Sequence, residues 1–283
     1  MFRNTLKTTI LLGALGGLLV AIGSLFGTAG AVIGAVLGLA VVGASYWKSD
    51  ALAIRSARAV PADERELPEY FAIMRDLSDR AGLPMPRLYL SPEPQPNAFA
   101  TGRNPEHAAV AVTRGLLAVC TWDEVRGVLA HELAHVRNRD ILIGSIAAAI
   151  ATGISFIANL AMWGAMLGGG DDEDANPFAL LIAAMVAPLA AGLLQMAVSR
   201  SREFEADRHG AELLGTGEPL ARALEKLEVT AARVPMNVPP AQAQAFIVNP
   251  LTGREVRFAN LFRTHPTTAE RVARLRSGAW QPA

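Results

Sequence analysis

From Thr8 to Trp47 this 283-residue chain carries no charged residue. That run is too long for one membrane span of about 20 residues and suits two. Gly27-Thr28 marks a hairpin near its middle. A second uncharged run goes from Ile141 to Gly170 and a third from Ala175 to Ser199. Between them stands Asp171-Asp172-Glu173-Asp174, which cannot sit in hydrocarbon. A signal peptide has a shorter apolar stretch, and no second span would follow it at once. About four transmembrane helices are therefore expected.

Lys and Arg near the span ends set the orientation. Arg3 and Lys7 precede the first span, and Lys48, Arg55 and Arg58 follow the second. Arg137 and Arg139 precede the third, and Arg200, Arg202 and Arg208 follow the fourth. The loop between spans three and four is purely acidic. The expected division is a membrane hairpin over 1–47, polar segments over 48–140 and 200–283, and a second hairpin over 141–199. Both polar segments face the cytoplasm and the acidic loop faces out. This is a multi-pass protein of the lipid bilayer.

Hydrophobic residues make up 51% of the chain and charged residues only 18%, against about 25% charge in soluble domains. Lys plus Arg and Asp plus Glu are 26 each. Without a basic excess, nucleic-acid binding is not expected. Cys120 is the single cysteine, which excludes an intrachain disulfide and a cysteine-built zinc module.

The polar segments combine to form one soluble domain. Pro68 to Ala81 has helical spacing, with Tyr70, Phe71, Met74 and Leu77 as its apolar stripe and Gly82 as its stop. Arg87–Leu90, Asn97–Ala100 and Ala108–Thr113 read as short strands. Thr121 and Glu124 fit a capping box that opens a helix running to about Asn138. Further helices are expected over Ser201–Leu214, Glu218–Ala232 and Thr267–Leu275, and a hairpin around Asn249–Gly253.

The capped helix carries His131-Glu132-Leu133-Ala134-His135. Histidines four residues apart share a helix face, so two imidazoles can bind one ion. Glu132 is offset around the helix, where it reaches the attacking water without ligating. This is the zinc-peptidase pattern. Catalytic zinc takes three protein ligands and keeps one position open. Asn138 and Ile141 stand where the longer metzincin pattern needs Gly and His, so the third ligand lies elsewhere. A later helix offers Glu203 and Asp207 on one face, as a ligand and a carboxylate that orients a ligand histidine. By spacing alone Glu205 competes with Glu203.

The chain resembles the HtpX-type membrane zinc metalloproteases, relatives of the CAAX prenyl proteases. The matching stretches are Asn97 to Gly102, His131 to Asp140, Ser201 to Asp207, and His265-Pro266. The resemblance implies an α-helical membrane protein with an α+β, gluzincin-like zinc metallopeptidase domain. It implies one Zn2+ held by His131, His135 and Glu203, Glu132 as base, and Asp207 behind a ligand. It places Asn97, Ala98, Phe99 and Ala100 on the edge strand that holds the substrate backbone, and His265 at the oxyanion. Arg271 goes with the substrate-binding residues, orienting the His265 loop or contacting substrate. His107 and His209 match no catalytic feature. The implied partners are polypeptides, chiefly membrane proteins in quality control, and a homo-oligomer stays open. The alternatives are a CAAX-type processing protease and a non-catalytic zinc scaffold. A scaffold would close its zinc with four ligands, whereas three plus a water-activating Glu favour catalysis.

Overall fold

The computed structural model describes residues 27–141, 200–233 and 266–281, with a few positions between 9 and 24. Helix α1, Gly27–Trp47, contains no acidic or basic residue. Val32, Ile33, Val36, Leu37 and Leu39 on it are all exposed. Over the described residues, no helix is long and apolar enough to cross a membrane, and the side chains at 30, 34, 41, 42, 44 and 45 of α1 fall outside that description. The expected second hairpin, beyond Ile141, and the expected hairpin around Asn249–Gly253 also lie outside the described residues.

The described residues form four strands: β1 (Val60–Pro61), β2 (Arg87–Ser91), β3 (Ala98–Thr101) and β4 (Ala109–Thr113). Their order across the sheet is β1-β2-β4-β3. β2 and β4 are parallel, with Leu88 opposite Val110 and Leu90 opposite Val112. β3 lies antiparallel to β4, Ala98 opposite Val112 and Ala100 opposite Val110, and forms one edge. β4 is buried along its whole length, as a strand covered on both faces must be, and it accordingly reads as a continuous apolar run.

One face of the sheet carries the main core. Tyr70, Met74 and Leu77 of α3 (Pro68–Ala81) pack there against Leu88, Leu90, Val110 and Val112. Each such side chain contributes roughly 1.5–3 kcal/mol by leaving water. Tyr70 Oη donates to Val110 O at 3.0 Å, so its hydroxyl is satisfied within this layer. Helix α3 stops where Gly82 adopts φ 62°. The other face is covered by α2 (Ser49–Ser56), whose Ile54 meets Ala109 and Ala111. Neither α2 nor α4 (Arg114–Val119) was expected from the sequence; at 8 and 6 residues both are too short to show a helical period.

Helix α5, Trp122–Asn138, holds the domain together. Its capping box is complete: Thr121 Oγ1 accepts from Glu124 N–H at 3.4 Å, and Glu124 Oε2 accepts from Thr121 N–H at 2.8 Å. Such a cap is worth about 1 kcal/mol. Helices α6 (Arg200–Leu214) and α7 (Glu218–Arg233) pack on α5. At Gly127 a Cβ would lie 2.4 Å from Leu220 N, so only glycine admits α7 at that crossing. Helix α8, Thr268–Arg276, docks against α6 and α7.

Candidate active site

His131 and His135 lie one turn apart on α5, with Nε2 atoms 3.2 Å apart. Glu203, from the first turn of α6, points at both: its carboxylate oxygens lie 3.7 Å from His131 Nε2 and 3.7 Å from His135 Nε2. One atom from each of the three residues lies within 4.8 Å of the others. Glu205 turns away and pairs with Arg208 at 2.6 Å, 48% exposed. The ambiguity in spacing between Glu203 and Glu205 is thus resolved by packing.

The other face of each imidazole is held by a carboxylate. His131 Nδ1–H donates to Asp207 Oδ1 at 2.9 Å, and His135 Nδ1–H donates to Asp140 Oδ1 at 3.1 Å. In the neutral ring these bonds leave Nε2, the nitrogen nearer Glu203, as the one that can ligate. Asp207 is in turn clamped by Arg271, whose Nε and Nη2 donate to its two oxygens at 2.8 and 2.7 Å. The structure places Arg271, expected to orient the His265 loop or contact substrate, on Asp207. Its side chain is 2% exposed, behind Asp207 and 3.8 Å from Glu203. The buried charge is neutralised by Asp207.

Charge balance suits a cation. Glu132, Asp140, Glu203 and Asp207 bring four carboxylates; Arg271 and Arg202, which Asp140 and Glu203 attract, bring two guanidinium groups. With neutral imidazoles, as ligation requires, the net charge is minus two. The same imbalance acts on His135. Burial opposes its imidazolium, yet Asp140, Glu203 and Glu132 push its pKa up to about 10. At Asp207 burial would raise the carboxyl's pKa, but Arg271 and His131 hold it below the usual carboxylate range. Two imidazole nitrogens and one carboxylate oxygen form the donor set of a catalytic zinc site, and a divalent ion matches the charge deficit.

Glu132 sits beside this pocket, 4% exposed. Burial and the Glu203 charge raise its pKa, while the imidazoles and a bond from Ala100 N–H pull the other way without cancelling the rise. That bond, Ala100 N–H to Glu132 Oε2, is 2.8 Å. Ala98, Phe99 and Ala100 therefore lie on an edge strand whose backbone touches the carboxylate. Asn97 precedes the strand, 4% exposed, with its N–H bonded to Thr113 Oγ1 at 2.9 Å. His265 lies outside the described residues; Pro266, next to it, is buried. The sequence reading missed Asp140 and Arg202. For Asp140 a signal was present: it is the only carboxylate within reach after His135 before the apolar run begins.

The model of peptidase family M48 matches residues 64–279. This chain belongs to peptidase family M48. It is 50% identical to the protease HtpX homolog of Pelotomaculum thermopropionicum over 98% of this chain and 99% of that one. With the homolog of Syntrophobacter fumaroxidans it shares 51% over 96% and 98%. The crystal structure of S. mikatae Ste24p superposes with a TM-score of 0.52 at 21% identity, covering 97% of this chain and 66% of that one; that likeness is one of fold. As an M48 member the chain is a metalloprotease, and the His131, His135 and Glu203 cluster is its candidate site for a divalent metal.

Proposed function

We propose that this M48 peptidase is a zinc endopeptidase of the bacterial cytoplasmic membrane, degrading misfolded or damaged membrane proteins. The observation that carries this reading is one juxtaposition. A three-donor pocket, a buried carboxylate that does not join it, and an edge strand all meet at Glu132, through the 2.8 Å bond from Ala100.

His131, His135 and Glu203 would hold the zinc. Bound there, it would supply Lewis-acid polarisation of the scissile carbonyl. Glu132 takes a proton from the attacking water and returns it to the leaving amine. Its raised pKa, caused by burial and the Glu203 charge, makes it a stronger base than an ordinary carboxylate. Asp207 and its Arg271 clamp keep the His131 ring in one tautomer and orientation. A substrate backbone would add beside β3, the last strand of the described sheet, as a further strand, which lays its peptide groups along Asn97 to Ala100 and beside Glu132. His265 would donate to the developing oxyanion.

The membrane part of the proposal rests on the uncharged runs at 8–47, 141–170 and 175–199, on the exposed apolar side chains of α1, and on the cationic residues flanking each run. With 1–47 and 141–199 as hairpins, 48–140 and 200–283 form one catalytic domain on the cytoplasmic side. The test is cleavage of casein or an unfolded membrane protein by the full chain purified in detergent. Cleavage that stops with chelator and returns with Zn2+ is expected. No cleavage by zinc-loaded, folded protein would overturn the reading.

A further inference from the structure

Asp140 is 7% exposed, and its side chain makes a single hydrogen bond among the described residues, to His135 Nδ1 at 3.1 Å. Its other oxygen, Oδ2, has no partner among them. A buried carboxylate is costly to desolvate unless it is well compensated. Among the described residues, Asp140 faces the histidine and the nearby charge of Arg202.

The backbone that brings it there is unusual. Helix α5 ends in a Schellman turn: Arg139 N–H bonds back to Val136 O at 3.2 Å, and Asp140 N–H to His135 O at 3.3 Å. The residue that must turn left-handed is Arg139, at φ 54°, where glycine is usual. Arg58 is the only other non-glycine residue with positive φ among the described residues. The turn folds Asp140 back over the last turn of its own helix, onto the outer nitrogen of His135.

We infer that Asp140 is a positioning residue for the second metal histidine, and that the left-handed turn at Arg139 sets its place. His131 and His135 are then each held by a carboxylate on Nδ1, Asp207 from the neighbouring helix and Asp140 from the helix's own end. Without Asp140 the His135 ring can rotate or exchange tautomers, since the side chain is 17% exposed, and Nε2 no longer points steadily at Glu203. The inference rests on the metal-site reading above.

The test is Zn2+ affinity of the full chain in detergent, by competition with a chromophoric chelator, together with the visible spectrum of the Co2+ form and the melting temperature in excess chelator. Asp140→Ala should bind Zn2+ about 10- to 100-fold more weakly, the scale for losing such a partner, and should alter the Co2+ spectrum. Its melting temperature in chelator should not fall. Asp140→Asn can still accept from Nδ1–H and should lose less. Arg139→Val keeps the carboxylate but disfavours the left-handed turn, so it should also weaken binding, whereas Arg139→Gly should not. Wild-type affinity in Asp140→Ala and Arg139→Val overturns the inference. So does a loss of affinity matched by a lower melting temperature in chelator for both Asp140→Ala and Asp140→Asn, because Asp140 would then be a structural cap. His135→Ala is the control. If it loses Zn2+ and Asp140→Ala does not, only the inference fails; if it binds like wild type, the metal-site reading fails and the inference with it.

Discussion

Arg271→Met separates the structural role of this residue from the substrate contact that sequence suggested. Methionine keeps an apolar stem of similar reach and removes the guanidinium. The ion pair with Asp207 is buried on both sides, at 2% and 5% side-chain exposure, with bonds of 2.8 and 2.7 Å. Breaking a buried pair by removing one partner costs about 3–5 kcal/mol, because the other charge stays behind. Asp207 retains its bond from His131 Nδ1–H, so the lower end, about 3 kcal/mol, is the better figure. For a chain of this size that lowers the melting temperature by on the order of 10 °C. The loss also removes a positive charge 3.8 Å from Glu203 and leaves the pocket more negative. At that distance a unit charge is worth roughly 1–4 kcal/mol between a watery and a surface-like dielectric, and a divalent ion recovers part of it. Destabilisation should therefore be larger in chelator than with Zn2+. The assay is differential scanning fluorimetry in detergent at one scan rate, with and without chelator, beside peptide cleavage kinetics. The double variant Arg271→Met, Asp207→Asn should regain part of the loss, since no unpaired charge remains. An unchanged melting temperature with a KM raised several-fold would refute the clamp and restore the substrate contact.

Glu132→Gln should keep bound zinc, measured by metal analysis, and lose hydrolysis, because the three ligands are untouched and no base remains; wild-type cleavage would sink the mechanism. Glu203→Ala should lower zinc content while Glu205→Ala, on the solvent side of α6, should not. The reverse pattern would exchange their roles. Glu124 is buried, which raises its pKa, but Lys226 at 2.7 Å and the Thr121 bonds bring it below the ordinary carboxylate value. A lowered folded-state pKa gives stability that is present above the unfolded value and is lost as pH falls through the folded one. Melting temperature should thus drop below about pH 4.5, and Glu124→Gln should flatten that drop while lowering stability at pH 7; an identical pH profile would remove Glu124 from the acid transition. In a Cys120→Ala background, a cysteine at position 172 should react with an impermeant thiol reagent in whole cells and one at 216 should not. The opposite labelling would invert the proposed topology.

What sequence reveals here depends on whether the cause is local. The capping box at Thr121, the stop at Gly82 and the shared face of His131 and His135 are consequences of residues a few positions apart, and all were legible. The placement of Glu132 beside the two histidines was legible for the same reason. Glu203 and Glu205 could not be told apart by spacing, because what separates them is which side of α6 meets α5, a tertiary fact. Arg271 lies in a helix whose composition is that of a solvated surface, TAERVARLR, and nothing local says that its buried partner is Asp207, 64 residues earlier. Asp140 was hidden by a turn whose left-handed residue is arginine. A glycine at 139 would have announced the turn.

The closeness of α6 to α5 has its own local cause. Glu203, Asp207 and Gly210 are spaced four and then three residues apart, so they run along one face of α6. The first two meet the imidazoles. At the third, a Cβ would lie 3.1 Å from His131 N and 3.2 Å from Ala130 C, tighter than ordinary packing. Glycine inside a helix costs about 1 kcal/mol relative to alanine, and here that cost is offset by the approach it permits. Ala206 and Ala211, both buried, keep the rest of the contact thin. A metal site tolerates displacements of only about 0.5 Å, so the interhelical distance is itself part of the site. The small residues of α6 therefore have the same function as its carboxylates: they decide how far Glu203 stands from His131 and His135.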